Sequence, residues 1–114
     1  MPHIIIEYSA ALSDTHDMAA LCARVFETAE ATGVFPDPSA IKVRALPCPF
    51  SLIGTEPQSF AHVTVHLLAG RDEATRTRVT QAILATLDDS LADVGSLSVD
   101  IKDTNPATYA KRTL

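Results

Sequence analysis

His3-Ile4-Ile5-Ile6-Glu7-Tyr8 opens the chain with β-branched and aromatic residues that are apolar at odd and even positions alike, as a central strand covered on two faces requires. Beyond it, Met18, Leu21, Cys22, Val25, Phe26 and Ala29 recur at helical spacing, with Asp14 expected as N-cap and Gly33 just past the end. Ile41, Val43 and Ala45 then alternate with Lys42 and Arg44, the period-two pattern of a half-buried strand. The same series returns later. In Phe60 to Leu68, Ala61, Val63, Val65 and Leu67 share one side of a strand. A helix starting near Asp72 follows, with Val79, Ala82, Ile83, Leu87, Leu91 and Val94 on one stripe, Thr86 as its polar intrusion and Gly95 at its end. Leu97, Val99 and Ile101 alternate as a fourth strand.

The order β-α-β, linker, β-α-β predicts a single α+β domain over residues 1–114: a four-stranded mixed sheet with two helices on one face. Its pseudo-repeats are 2–46 and 60–102, joined by a linker 47–59 that holds Pro47, Pro49, Gly54 and Pro57. Within that linker Phe50, Leu52 and Ile53 are expected to pack down in part. Right-handed crossovers place both helices on the same side and leave the other sheet face bare. Phe60, Leu68 and part of the isoleucine run make that face the expected contact with other protomers. A ferredoxin-like sandwich has the same elements in another strand order, and periodicity alone does not separate the two.

Composition narrows the function. The chain is 46% hydrophobic and 20% charged, ordinary for a folded protein, and its net charge of −5 argues against a nucleic-acid partner, which needs a basic face. No basic stretch precedes an apolar run at the start, and no run of about 18 apolar residues occurs, so a cytoplasmic protein with no membrane partner is expected. Cys22 and Cys48 lack any paired ligand spacing and read as reduced thiols. His62 and His66 on one strand stand roughly 13 Å apart at about 3.3 Å per residue. Zinc would have to lie about 2.0 to 2.1 Å from both, so no metal site is expected. Phosphate loops and Ser-His-Asp spacings are also missing.

Pro2 is the residue with the most chemical potential. Removal of Met1, which a small second residue permits, would leave a secondary amine at the start of a central strand. Burial and nearby cations would lower its pKa from the roughly 7.7 to 8.0 usual for an α-amine, into the range where a general base works at neutral pH. Proline at position two is nevertheless common, and by itself implies nothing.

A wider pattern gives it meaning. Met1-Pro2-His3 with Ile5, Glu7 and Ser9, then Ala31-Thr32-Gly33-Val34-Phe35-Pro36, then Phe60, His62, Thr64 and Ala69-Gly70-Arg71, resemble the 5-carboxymethyl-2-hydroxymuconate isomerase family of the tautomerase superfamily. The similarity runs from residue 1 to about residue 80; the last third matches in pattern only. The resemblance implies a tautomerase-like double βαβ protomer, a homotrimer, no cofactor, and the amino-terminal proline, here Pro2, as general base and acid. It also implies an unsaturated 2-hydroxy di- or tricarboxylate as small-molecule substrate, held by basic residues at the positions of Arg71, Arg44 and Lys42. Lys42 stands where the family would place arginine. The aromatic expected after the second strand is replaced by Leu46 and Pro47, with Phe50 as the candidate substitute. Glu7, odd in register where Pro2 is even, belongs to the opposite face. Another enol or unsaturated-acid substrate, or a non-catalytic trimeric binding protein on the same scaffold, remain open alternatives.

Overall fold

The computed structural model describes residues 1–114. Strands β1 (His3–Ser9), β2 (Lys42–Cys48), β3 (Phe60–Leu68) and β4 (Ser96–Thr104) alternate with helices α1 (Met18–Ala31) and α2 (Glu73–Ser90) in the order β1-α1-β2-β3-α2-β4. The sheet order is β2-β1-β3-β4. β1 pairs in parallel with β2, β3 in parallel with β4, and the two halves join through antiparallel β1 and β3, with Ile5 opposite Thr64. Direct parallel pairing within each half excludes the ferredoxin-like arrangement, whose split βαβ units admit another strand between the two.

Alternation assigns the faces. Ile4, Ile6 and Tyr8 of β1 lie beside Val65, Val63 and Ala61 of β3 and, with Leu67 and Ile101, are buried beneath the helices. Val25 and Ala29 from α1, and Val79, Ile83 and Leu87 from α2, complete one core. The helices run antiparallel, since Arg24 reaches Asp89 at 2.7 Å and Thr28 reaches Thr86 at 2.6 Å. Thr86, the polar residue on an otherwise apolar stripe, therefore has its hydroxyl satisfied by Thr28 between the helices, which removes the cost of burying it alone. No helix is long and apolar enough to cross a membrane.

Several boundaries differ from those the sequence predicts. The N-cap of α1 is Asp17, whose carboxylate accepts from the Ala20 amide at 2.9 Å; Asp14 ends a preceding 3-10 helix, Ala10–Asp14, that buries Leu12. β2 continues through Pro47 to Cys48, so the linker begins later than position 47. Pro47 is tolerated because β2 is an edge strand. α2 stops at Ser90; the apolar stripe continues to Leu91 and Val94 because the chain folds back onto the sheet, not because the helix persists. Gly33, in contrast, lies just past α1 with φ of 72°, as a helix-stopping glycine should.

The largest corrections concern surface. Of the three linker residues expected to pack down in part, Ile53 is half-buried, whereas Phe50 and Leu52 are each 92% exposed. The helix-free face carries half-buried Ile5, Phe60 and Leu68, but it intersperses them with His3, Glu7, His62, Thr64, His66, Asp100 and Lys102. Leu46, opposite Glu7 on the same face, is 47% exposed, so the bare face keeps some open apolar surface while Phe50 and Leu52 after β2 are more exposed still. Cys22 and Cys48 are both free, Cys22 with its thiol pushed up by burial.

The linker is anchored at its far end. Ser59 accepts the Gly95 amide on its hydroxyl at 3.0 Å and the Ser96 amide on its carbonyl at 3.0 Å. A Cβ on Gly95 would lie 2.1 Å from the Pro57 carbonyl oxygen, a clash with backbone that side-chain motion cannot relieve. Gly95→Ala should therefore lower stability by about 1 to 3 kcal/mol. Gly54→Ala, where a Cβ meets nothing within 4 Å, should stay within about 0.5 kcal/mol of the parent. Urea midpoints of the two variants test this, and equal midpoints would refute the close approach.

Candidate active site

Strand polarity gathers the candidate residues. Because β1 and β2 run together while β3 and β4 run against them, the starts of β1 and β2 and the ends of β3 and β4 meet at one end of the sheet. Pro2 lies there, its ring fully buried and its carbonyl accepting the Lys42 amide at 3.1 Å. Lys42 is register partner to His3, and its ammonium donates to the Ala40 carbonyl at 2.7 Å, leaving two further protons to donate.

Arg71 leaves the end of β3 and turns back over the site. Its guanidinium donates to the Leu68 carbonyl at 3.1 Å and the Val34 carbonyl at 3.4 Å, and its central carbon sits 5.4 Å from the centre of the Phe35 ring. Phe35 is itself buried. Two carbonyls and a ring face thus fix the fork before any ligand arrives, and the remaining N–H groups stay free.

These cations act on the start of the chain. Partial burial lowers the pKa of the Met1 amino group, and the positive charges of Lys42, Lys111 and Arg71 lower it further, with Asp37 opposing them. Asp37, which accepts from the Ser39 amide at 3.0 Å and its hydroxyl at 2.7 Å, is held below the usual carboxylate range mainly by those bonds, with smaller help from Lys111 and Lys42. One acidic group therefore stands among three cations in a chain whose net charge is −5.

Of the four residues singled out in the sequence, Pro2, Lys42 and Arg71 come together; Arg44 lies one alternation further along β2, on the helix-free face. There its guanidinium donates to His3 Nδ1 at 3.2 Å. Phe50 follows the distal end of β2, where Cys48 pairs with Ser9. Six residue steps at about 3.3 Å put it roughly 20 Å from Pro2 of the same protomer, and the aromatic ring at the site is Phe35, before β2. His62 Nδ1 lies 2.6 Å from Ser98 Oγ, on the helix-free face. Lys111 and Asp37 carried no signal in the sequence, because neither belongs to a periodic element.

A double βαβ chain with this sheet order, here with cations clustered near Pro2, has the tautomerase fold, and solved structures agree. One described as a 5-carboxymethyl-2-hydroxymuconate isomerase from Deinococcus radiodurans R1 is 25% identical with a TM-score of 0.84, over 99% of this chain and 90% of that one. A fused 4-OT symmetric trimer is 17% identical with a TM-score of 0.75, over 96% and 93%. The macrophage migration inhibitory factor of Toxoplasma gondii is 17% identical with a TM-score of 0.71, over 96% and 95%. The sequence model of the 5-carboxymethyl-2-hydroxymuconate isomerase family matches residues 2–113, and the chain belongs to that family of isomerases. No curated protein matches the chain.

The His3 ring tests the electrostatics of this end of the sheet. Burial lowers its pKa first, then the charges of Arg44 and Lys42. Arg44→Ala removes a like charge, so the imidazolium becomes easier to form and the His3 titration should move to higher pH. Proton NMR of the histidine signals would show the shift; an unchanged midpoint would contradict the Arg44–His3 contact.

Proposed function

We propose that the protein ketonises an unsaturated 2-hydroxy di- or tricarboxylate of the 5-carboxymethyl-2-hydroxymuconate type, with the amine of Pro2, freed by removal of Met1, as general base and acid. The neutral nitrogen accepts the enol proton, the electron pair moves through the conjugated system, and the resulting ammonium returns a proton to a carbon further along, giving the conjugated ketone. Lys42 and Arg71 bind carboxylate and offset the negative charge that develops on the enolate, and Arg44 contributes from its place further along β2. The observation that carries this reading is the cluster of Lys42, Lys111 and Arg71 around the start of an acidic chain. Such a cluster both disfavours a protonated amine and suits an anionic substrate.

The same reading includes self-association as a homotrimer in the cytoplasm. Phe50 and Leu52, each 92% exposed, supply apolar surface that a neighbouring protomer would cover. One structural relative, the fused 4-OT, is described as a symmetric trimer. Replacing both residues with serine should shift the protein toward monomer in light scattering at micromolar concentration without loss of far-ultraviolet circular dichroism. A variant as trimeric as the parent would exclude this segment from the interface.

Three proteins test the chemistry by ultraviolet absorbance: the processed chain, Pro2→Ala, and a form with an uncleavable residue ahead of Pro2. Pro2→Ala keeps a primary amine with more freedom and should be slowed within the roughly 10² to 10⁴-fold that a placed base supplies. The blocked form, whose amide nitrogen is not basic, should be slower still; equal turnover by blocked and processed protein would sink the proline mechanism. Because the base must be neutral, kcat/KM should rise with pH through a midpoint below the usual range of roughly 7.7 to 8.0. Arg71→Ala should raise KM for a dicarboxylate enol more than for a monocarboxylate one, by about 1.5 to 3 kcal/mol. Equal losses would show that Arg71 does not read the second carboxylate.

A further inference from the structure

We propose that Lys111 is a further carboxylate-binding residue of the amino-terminal site, carried there by a C-terminal strap that Tyr109 pins to His3. The proposal rests on the reading of Pro2 as the reacting group and adds to it a residue from the far end of the chain.

β4 ends at the same end of the sheet as Pro2, where the Ala69 amide donates to the Thr104 carbonyl at 3.0 Å. The chain then reverses in a tight turn built on Asn105. Its side-chain oxygen accepts the Ala107 amide at 3.0 Å, and its carbonyl accepts the Thr108 and Tyr109 amides at 3.2 Å each. The turn carries Tyr109 past β3 to β1. There its hydroxyl lies 3.1 Å from His3 Nε2, and the two rings meet edge to face at 68° with centroids 6.3 Å apart.

The hydrogen bonds fix the direction of this clamp. Arg44 can only donate, so His3 Nδ1, at 3.2 Å from its guanidinium, is the acceptor, and the ring proton sits on Nε2 and is donated to Tyr109. His3 is therefore neutral while the clamp is closed, in keeping with burial first, and then Arg44, Lys42, the amino terminus and His66, disfavouring its charged form. Two residues beyond Tyr109, Lys111 is exposed to solvent and within electrostatic reach of the amino group and of Asp37. Lys111 makes no ion pair or hydrogen bond within the chain, and Asp37 is the one carboxylate that acts on the amine. Asp37 is engaged by Ser39 and forms no ion pair with Lys111, so an incoming carboxylate would be the direct partner of that ammonium. Tyr109 is then a positioning residue, acting through the strap.

The test uses full-length protein and muconate, an unsaturated dicarboxylate without the enol, so that binding is read apart from turnover. Its dissociation constant is measured by calorimetry, and the reactivity of the amino terminus by acetic anhydride labelling against pH with peptide mass spectrometry. Lys111→Ala should weaken muconate binding on the order of tenfold and move the labelling midpoint to higher pH, since a cation near the amine is lost. Lys111→Arg should restore both, and Tyr109→Phe should weaken muconate by less than Lys111→Ala does. If Lys111→Ala binds muconate as the parent does, the proposal is overturned, whatever the turnover. If muconate binding depends on Lys111 while blocked and processed proteins turn over equally, Lys111 stands and the proline mechanism falls.

Discussion

The antiparallel pairing of β1 with β3 is the constraint on which the rest of the molecule depends. Each βαβ half could form its own parallel pair, but the central pairing decides which strand ends become neighbours. With Ile5 opposite Thr64 and His3 opposite His66, the end of β3 arrives at the start of β1, bringing Arg71 over the proline and the end of β4 beside it. A slip of one residue would also turn Val63 and Val65 from the core to the bare face. The apolar alternation of β3 and the geometry of the cationic cluster are thus fixed by one register.

The two halves are alike in fold and unlike in use. In the first, the amide of Lys42 donates to the carbonyl of Pro2; in the second, the amide of Ser96 donates to the carbonyl of Ser59. These contacts occupy equivalent places at opposite ends of the sheet. At one end the linker backbone presses so closely on Gly95 that a side chain has no room. At the other the chain begins, and the positive charges of Lys42, Arg71 and Lys111 act on its amino group.

The cations differ in how firmly they are held. Arg71 is braced by two carbonyls and the Phe35 ring, and ordering it further on binding costs little. Lys42 is tied by a single carbonyl and Lys111 sits on a strap. An ammonium serves there as an adjustable point charge where a guanidinium would act as a fixed fork. The chain has a lysine where its family resemblance led one to expect arginine, which makes this site less rigid on the β2 side. In a protein of net charge −5, such a local excess of positive charge also steers anions to one end.

Much of this was readable from local pattern. Period two and period 3.6 located four strands and two helices, and alternation put Ile4 and Ile6 on the opposite face from Glu7, because side-chain direction repeats along a strand whatever lies beside it. The two aspartates near α1 show the limit of that reading: both suit an N-cap, and only the burial of Leu12 in the preceding turn selects Asp17 over Asp14. Phe50, Leu52 and Ile53 read as packed in part because apolar residues usually are, yet only Ile53 finds cover on its own chain. Arg44 and Lys42 look equivalent in the sequence and are separated by where the next strand and the chain start fall. Phe35 and Lys111 carry no periodic signal, since their roles come from contacts between distant parts of the chain, Phe35 with Arg71 and Lys111 with the amino terminus. The sequence by itself determined the elements, their buried faces and the proline at the head of a central strand. Tertiary structure alone decided which charges surround it, because strand register and chain reversal set distances that no local spacing encodes.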